Sequence, residues 1–121
     1  MGIKHLALAD TVGSSTPENI KQLFTSILPE MKGVALGAHL HSTKEKSLEK
    51  IAAAYESGCT LFDVAIHGFG GCPMAAEELT GNVATEDLLS FMESNKLKTN
   101  LNQQALDVCL TESWKIFNKY H

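Results

Sequence analysis

No apolar run in these 121 residues approaches the ~20 consecutive residues that span a bilayer. The opening MGIKHLALAD lacks the layout of a secretory leader. A cationic surplus is missing too. Ten Lys+Arg against fourteen Asp+Glu give a formal net charge of −4, which leaves no basic patch for nucleic acid and no polybasic segment for a membrane surface. The three cysteines, Cys59, Cys72 and Cys109, have neither metal-type pairing nor disulfide spacing, and an odd set of free thiols points to a reducing cytoplasm. Low-complexity segments are absent. What remains is the composition of one ordinary globular domain with a single core.

The chain alternates short apolar runs with amphipathic stretches. Ile3 to Ala9 reads as a buried strand that ends at Asp10-Thr11-Val12-Gly13. Thr16 and Pro17 then open a helix, as N-cap and first helical residue, with Ile20, Leu23, Phe24, Ile27 and Leu28 as its stripe and Pro29 and Gly33 closing it. Val34 to Leu40 is a second strand with His39 and His41 at its end. Glu45 to Ser57 is a second helix with Leu48, Ile51, Ala52 and Tyr55 on one face, stopped by Gly58. Thr60 to Ile66 is a third strand. Thr85-Glu86-Asp87 is expected to cap a third helix, and a last one starts near Asn102 with a stripe of Leu106, Cys109, Leu110, Trp114 and Phe117. Near-continuous apolar strands alternating with helices predict a parallel sheet with right-handed crossovers.

In such folds chemistry gathers beyond the carboxyl ends of the strands, and the unusual residues of this chain lie there. His39 and His41, two apart on a strand, face the same way and offer half of a divalent-metal site. A chance pair of histidines is the blander reading. The stretch GFGGCPMAAEELTGNVATED, Gly68 to Asp87, allows close approach of a ligand to its backbone. Within it, Asn82 offers a carbonyl oxygen to a hard cation, or is a plain turn residue. Cys72 is a buried small residue, a nucleophile paired with His67, or a proton donor. Two histidines, an amide and water suit magnesium or manganese better than a structural zinc. Cys59 and Cys109 are expected in the core.

Four blocks, LADTVG (Leu8 to Gly13), HLHST (His39 to Thr43), FDVAIHGFGGCP (Phe62 to Pro73) and TGNVATEDLL (Thr80 to Leu89), make the chain resemble the C-terminal part of a hydroxymethylglutaryl-CoA lyase. That family sits in the metal-dependent TIM-barrel lyase and aldolase superfamily. The resemblance implies an α/β fold, the C-terminal portion of a TIM (β/α)8 barrel, with about three βα units plus C-terminal helices. It implies that His39, His41 and Asn82 bind a divalent cation, Mg2+ or Mn2+. It also implies that Cys72 and Asp10 are catalytic, Cys72 in proton transfer, and that Thr11 contacts the substrate, an acyl-CoA. Glu86 and Asp87 match family acids whose role looks structural.

The family's N-terminal signature, with an arginine and a metal-binding aspartate, is absent, and Ser42 stands where an aspartate is common. The segment between Cys72 and Gly81 looks one residue longer than the family's. The expected domain is therefore residues 1–121 as a partial barrel that needs the missing N-terminal half as partner and is inactive without it. Open sheet edges on such a piece invite association, including with a second copy. The alternatives are a fragment of a related acyl-CoA aldolase or Claisen-type synthase, and a non-catalytic chain that binds a partner through its sheet edges.

Overall fold

The computed structural model of the chain describes residues 2–71 and 80–120. The first apolar run forms β1 (His5–Ala9) and the second forms β2 (Ala35–His39). A two-residue β3 (His41–Ser42) precedes β4 (Leu61–Asp63). β1, β2 and β4 stand side by side, all parallel, in that order. The crossovers are α1 (Pro17–Ile27) and α2 (Lys44–Glu56). α1 starts where expected: Thr16 Oγ1 accepts from the Asn19 N–H at 3.3 Å, and Asn19 Oδ1 accepts from the Thr16 N–H at 2.9 Å. α2 stops at Gly58, whose φ of +100° favours glycine.

The core lies between the sheet and these helices. Leu36 and Ala38 alternate along β2 and, with Leu40, meet Ile20 and Phe24 of α1 and Ile51 and Ala54 of α2, all buried. Each fully buried large side chain is worth about 1.5–3 kcal/mol over its exposed state. Cys59 is in this core, as expected, and burial pushes its thiol up.

Several expectations are corrected. β1 is not buried: Leu6 is 41% exposed and Leu8 is only half-buried. An apolar parallel strand is buried when both faces and both edges are covered, and among the described residues β1 pairs on one edge alone. α2 turns a different face inward. Leu48 is 46% exposed and Tyr55 36%, while Ser47, Lys50, Ile51 and Ala54 are buried. Those four positions have the i, i+3, i+4, i+7 spacing of one helical face, hidden in the sequence because two of them are polar.

The second strand breaks at Leu40, and the third is shorter than expected. Beyond β4, Ala65 bridges to Ala84 in parallel, and a 3-10 turn follows over Ile66–Gly68. β5 (Gly81–Asn82) pairs antiparallel with β3. In α3 (Thr85–Ser94) the N-cap is Ala84, not Thr85. α4 (Gln103–Tyr120) is capped by Asn102, whose Oδ1 accepts from the Ala105 N–H at 3.0 Å. Its half-buried stripe is Leu106, Leu110, Ser113 and Phe117. Cys109 lies off that stripe and is exposed, not a core thiol. No described helix is long and apolar enough to cross a membrane.

Candidate metal centre

The three parallel strands end level, because Ala9, His39 and Asp63 are partners in register. Period-two alternation sends Leu36 and Ala38 toward the helices and His39 to the opposite face. His39 Nδ1 lies 3.5 Å from Asp63 Oδ2, with the imidazole side chain 40% exposed. His41 stands on β3, where its strand partner is Asn82. Although the strand is interrupted at Leu40 between them, the two imidazoles meet edge to face with ring centroids 5.1 Å apart.

His41 and Asn82 each hold a partner with one atom and leave an acceptor free. His41 Nδ1 is 2.7 Å from the Asp10 carbonyl oxygen. A carbonyl only accepts, so Nδ1–H donates and Nε2 keeps the lone pair in the neutral ring. Asn82 Nδ2 donates to the Phe69 carbonyl at 2.8 Å, leaving Oδ1. Two imidazole nitrogens and an amide oxygen form a donor set that fits a divalent cation. Among the described residues no group of three or more His, Cys, Asp or Glu is placed to hold one. Any further ligands must come from elsewhere.

The strand that carries Asn82 depends on two glycines. A Cβ on Gly81 would lie 2.7 Å from the Gly68 carbonyl oxygen, and one on Gly68 would lie 2.8 Å from that of Asn82. Only bare backbone fits at this crossing.

Asp10 alternates with Ala9, and its carboxylate turns toward the helices. Oδ2 accepts from the Ser15 hydroxyl, from the Ser15 N–H at 3.1 Å and from Lys50 Nζ at 3.0 Å. Burial raises the Asp10 carboxyl, but the Ser15 and Lys50 hydrogen bonds and the Lys50 charge outweigh it and hold the group below the ordinary carboxylate value. Thr11 is exposed in the turn after β1. Cys72 lies outside the described residues.

One cluster carries no warning in the sequence. Glu86, expected only as a helix-capping acid, accepts from the His67 N–H at 3.2 and 3.0 Å and lies 2.5 Å from His67 Nδ1. His67 Nε2 is 3.0 Å from the Leu110 carbonyl oxygen and 2.9 Å from Ser113 Oγ. The ring stacks on Trp114 with centroids 4.1 Å apart, and Phe69 stacks on Phe117 at 3.8 Å. Ser113, His67 and Glu86 are connected as a nucleophile, base and acid would be. The Ser113 hydroxyl donates its one proton to the Leu110 carbonyl at 2.8 Å and not to His67, so it is not held as a nucleophile by a base. His67 is a clasp that ties α4 to α3, and the contacts are too far apart in sequence for any local pattern to show them. His67→Ala is expected to release α4 and cost about 2–3 kcal/mol through the lost packing and hydrogen bonds. Limited proteolysis checks this, with cleavage between residues 95 and 102 accelerated in the variant.

A cleft of about 380 Å³ lies between the N-terminal ends of α2 and α3, with Ser42, Ser47, His67, Asn82, Glu86 and Trp114 among its lining. Asn82 thus borders both the histidine pair and open space in which a ligand has room.

Residues 1–110 match the family model described as HMGL-like. Human cytoplasmic 3-hydroxy-3-methylglutaryl-CoA lyase is 38% identical over 102 residues, covering 84% of this chain and 27% of that protein. The hydroxymethylglutaryl-CoA lyase of Bacillus subtilis is 33% identical over 105 residues, 87% of this chain and 35% of its own length. Human mitochondrial hydroxymethylglutaryl-CoA lyase is 35% identical over 106 residues, 88% and 32%. The crystal structure of the Bacillus subtilis HMG-CoA lyase superposes with a TM-score of 0.85 at 30% identity, covering 97% of this chain and 39% of that one. An Acinetobacter baumannii HMG-CoA lyase, in complex with coenzyme A and 3-methylmalate, gives a TM-score of 0.76 at 34% identity, over 93% of this chain and 36% of that one. The chain spans about a third of the length of the curated relatives it matches. Its sheet and helices correspond to part of a TIM barrel.

Proposed function

Because the chain belongs to the HMGL-like family, we propose that it is the metal-ligating portion of a carbon–carbon lyase acting on 3-hydroxy-3-methylglutaryl-CoA to give acetoacetate and acetyl-CoA. The observation that carries the reading is the convergence of His39, His41 and Asn82, with one polar atom of His41 and of Asn82 occupied and an acceptor of each left free. These three would hold a divalent cation, Mg2+ or Mn2+. When bound, the cation supplies Lewis-acid stabilisation of negative charge that develops on the substrate's oxygens.

The chain's own residues do the rest. The Asp10 carbonyl orients His41, and Asp63 steadies His39. Asp10 serves through that carbonyl and as the counter-charge of Lys50, since its carboxylate is turned to the helix side. Thr11, exposed at the strand end, is free to hydrogen-bond substrate. Cys72 delivers a proton to the departing acetyl-CoA carbanion, a task suited to an ordinary thiol value near 8.5.

The domain as a whole is a partial barrel that works with a further barrel segment, in the same polypeptide or on another. The exposed β1, with Leu6 41% exposed and Ile3 just before it 47%, supports this. So does a groove of about 500 Å³ along β1 and α1, lined by Leu8, Leu23 and Leu40 among others. A second reading rests on the same open edge, namely that the chain only docks a partner there.

Titration calorimetry separates the two. Mn2+ is expected to bind the chain supplemented with the N-terminal barrel segment of the Bacillus subtilis relative. His39→Ala or His41→Ala should weaken that binding at least about 100-fold. No binding by the supplemented wild type would leave only the docking reading.

A further inference from the structure

Lys50 stands where a buried apolar residue of α2 would be expected. It is 1% exposed, and its Nζ donates to three oxygens: Asp10 Oδ2 at 3.0 Å, the Gly13 carbonyl at 3.0 Å and the His41 carbonyl at 2.8 Å. Three donors meet three acceptors, so the ammonium is fully satisfied where it lies. A nucleophilic role is excluded, since a Schiff-base lysine needs a free lone pair and this nitrogen has none to give.

The hydrogen bonds close on themselves. Lys50 Nζ holds the His41 carbonyl, His41 Nδ1–H donates to the Asp10 carbonyl, and Asp10 Oδ2 receives Lys50 Nζ. A closed ring fixes each member better than any one bond could, because no bond can swing without stretching the other two. We propose that Lys50 is a positioning residue of this site, and that the ring it closes holds His41 in the tautomer whose Nε2 is left free for a cation. The inference rests on reading His41 as a ligand. It adds that α2, which sends nothing to the metal, sets the tautomer of a residue that does. Gly13 belongs to the same design. Its φ of +73° bends the chain after β1 so that its carbonyl reaches Nζ.

Nitrogen NMR on the labelled chain tests this without turnover. In the wild type, well above the ordinary imidazole value, His41 is expected as the Nδ1–H tautomer. The Lys50 ammonium should give a resolved signal under conditions where exposed lysines exchange too fast to be seen. In Lys50→Met, a near-isosteric apolar replacement, the ratio of the Nδ1–H to the Nε2–H form of His41 should fall about tenfold, the scale set by one lost hydrogen bond. A merely structural lysine would lower the melting temperature and leave that ratio unchanged, and this outcome overturns the proposal. Should the variant not fold, the wild type decides alone. A Lys50 ammonium that exchanges as fast as the surface lysines, or a His41 that carries its proton on Nε2, overturns it equally. Mn2+ broadening of the wild-type His41 signals in the presence of the N-terminal barrel segment tests the metal reading separately, so the two can fail independently.

Discussion

Asp10→Asn is expected to destabilise the chain by about 3–5 kcal/mol, the range for breaking a buried ion pair by removing one partner. The argument runs from burial. Lys50 and Asp10 side chains are 2% and 7% exposed, and their charged atoms lie 3.0 Å apart. An asparagine keeps an oxygen for Nζ but no charge, so the ammonium is left buried and uncompensated.

The pH dependence has a definite sign. Asp10 is held below its ordinary value in the folded chain, whereas the unfolded group titrates near ~3.9. Its contribution is fully present above the unfolded value and is lost as pH falls through the folded one. Urea midpoints measured from pH 7 downward should therefore fall more steeply for the wild type than for Asp10→Asn below about pH 4. The double variant Asp10→Asn/Lys50→Met should cost less than the sum of the two single ones, because the second change removes the stranded partner. Additive costs would mean that the pair is not coupled.

The second large effect is on turnover. Mixed with the N-terminal barrel segment of the Bacillus subtilis relative, the chain should bring acetoacetate formation from HMG-CoA from undetectable to measurable in the presence of Mg2+ and a thiol reductant. Cys72→Ser in the same mixture should lower the rate by about 10²–10⁴-fold, the usual weight of a positioned proton donor. A synthase-type reaction with no task for that cysteine would hold its rate within a few-fold. Vigorous cleavage by the chain alone would refute the need for the second segment.

Much of the architecture was legible in the chain. The parallel order of three strands followed from apolar runs joined by amphipathic stretches, and α1 was announced by Thr16 and Pro17, both local signals. The histidine pair and Asn82 were legible as residue types, and the structure brings them together, although by a long-range antiparallel pairing of β3 with β5 that no short-range pattern announced. The inward face of α2 was misread because Lys50 is polar in type and buried in fact. What makes it burial-competent is three oxygens supplied by residues as far away as Asp10 and Gly13. Cys109 was misread for the opposite reason. It lies near the apolar stripe of a helix that has little to pack against. The exposure of β1 was implied only by the open sheet edges expected of a partial barrel and by nothing in the strand itself, since an apolar strand looks the same whether or not its neighbours are present. The role of Glu86 was hidden by its position, where helix capping was a sufficient explanation.

The way α4 is held has an optical consequence. The helix meets the body of the chain chiefly through the turn at Ile66–Gly68 and the rings beside it, while the buried core is drawn from the sheet, α1, α2 and α3. Trp114 is the chain's one tryptophan, and it stacks on His67 at that junction. Its emission therefore reports the parting of one helix from its seat, whereas far-ultraviolet ellipticity reports the melting of all the helices. A small helix-to-body contact opens at lower free energy than a packed core. The two signals should trace separate denaturation curves, fluorescence moving first, and a single two-state fit to either one would misstate the stability of the whole.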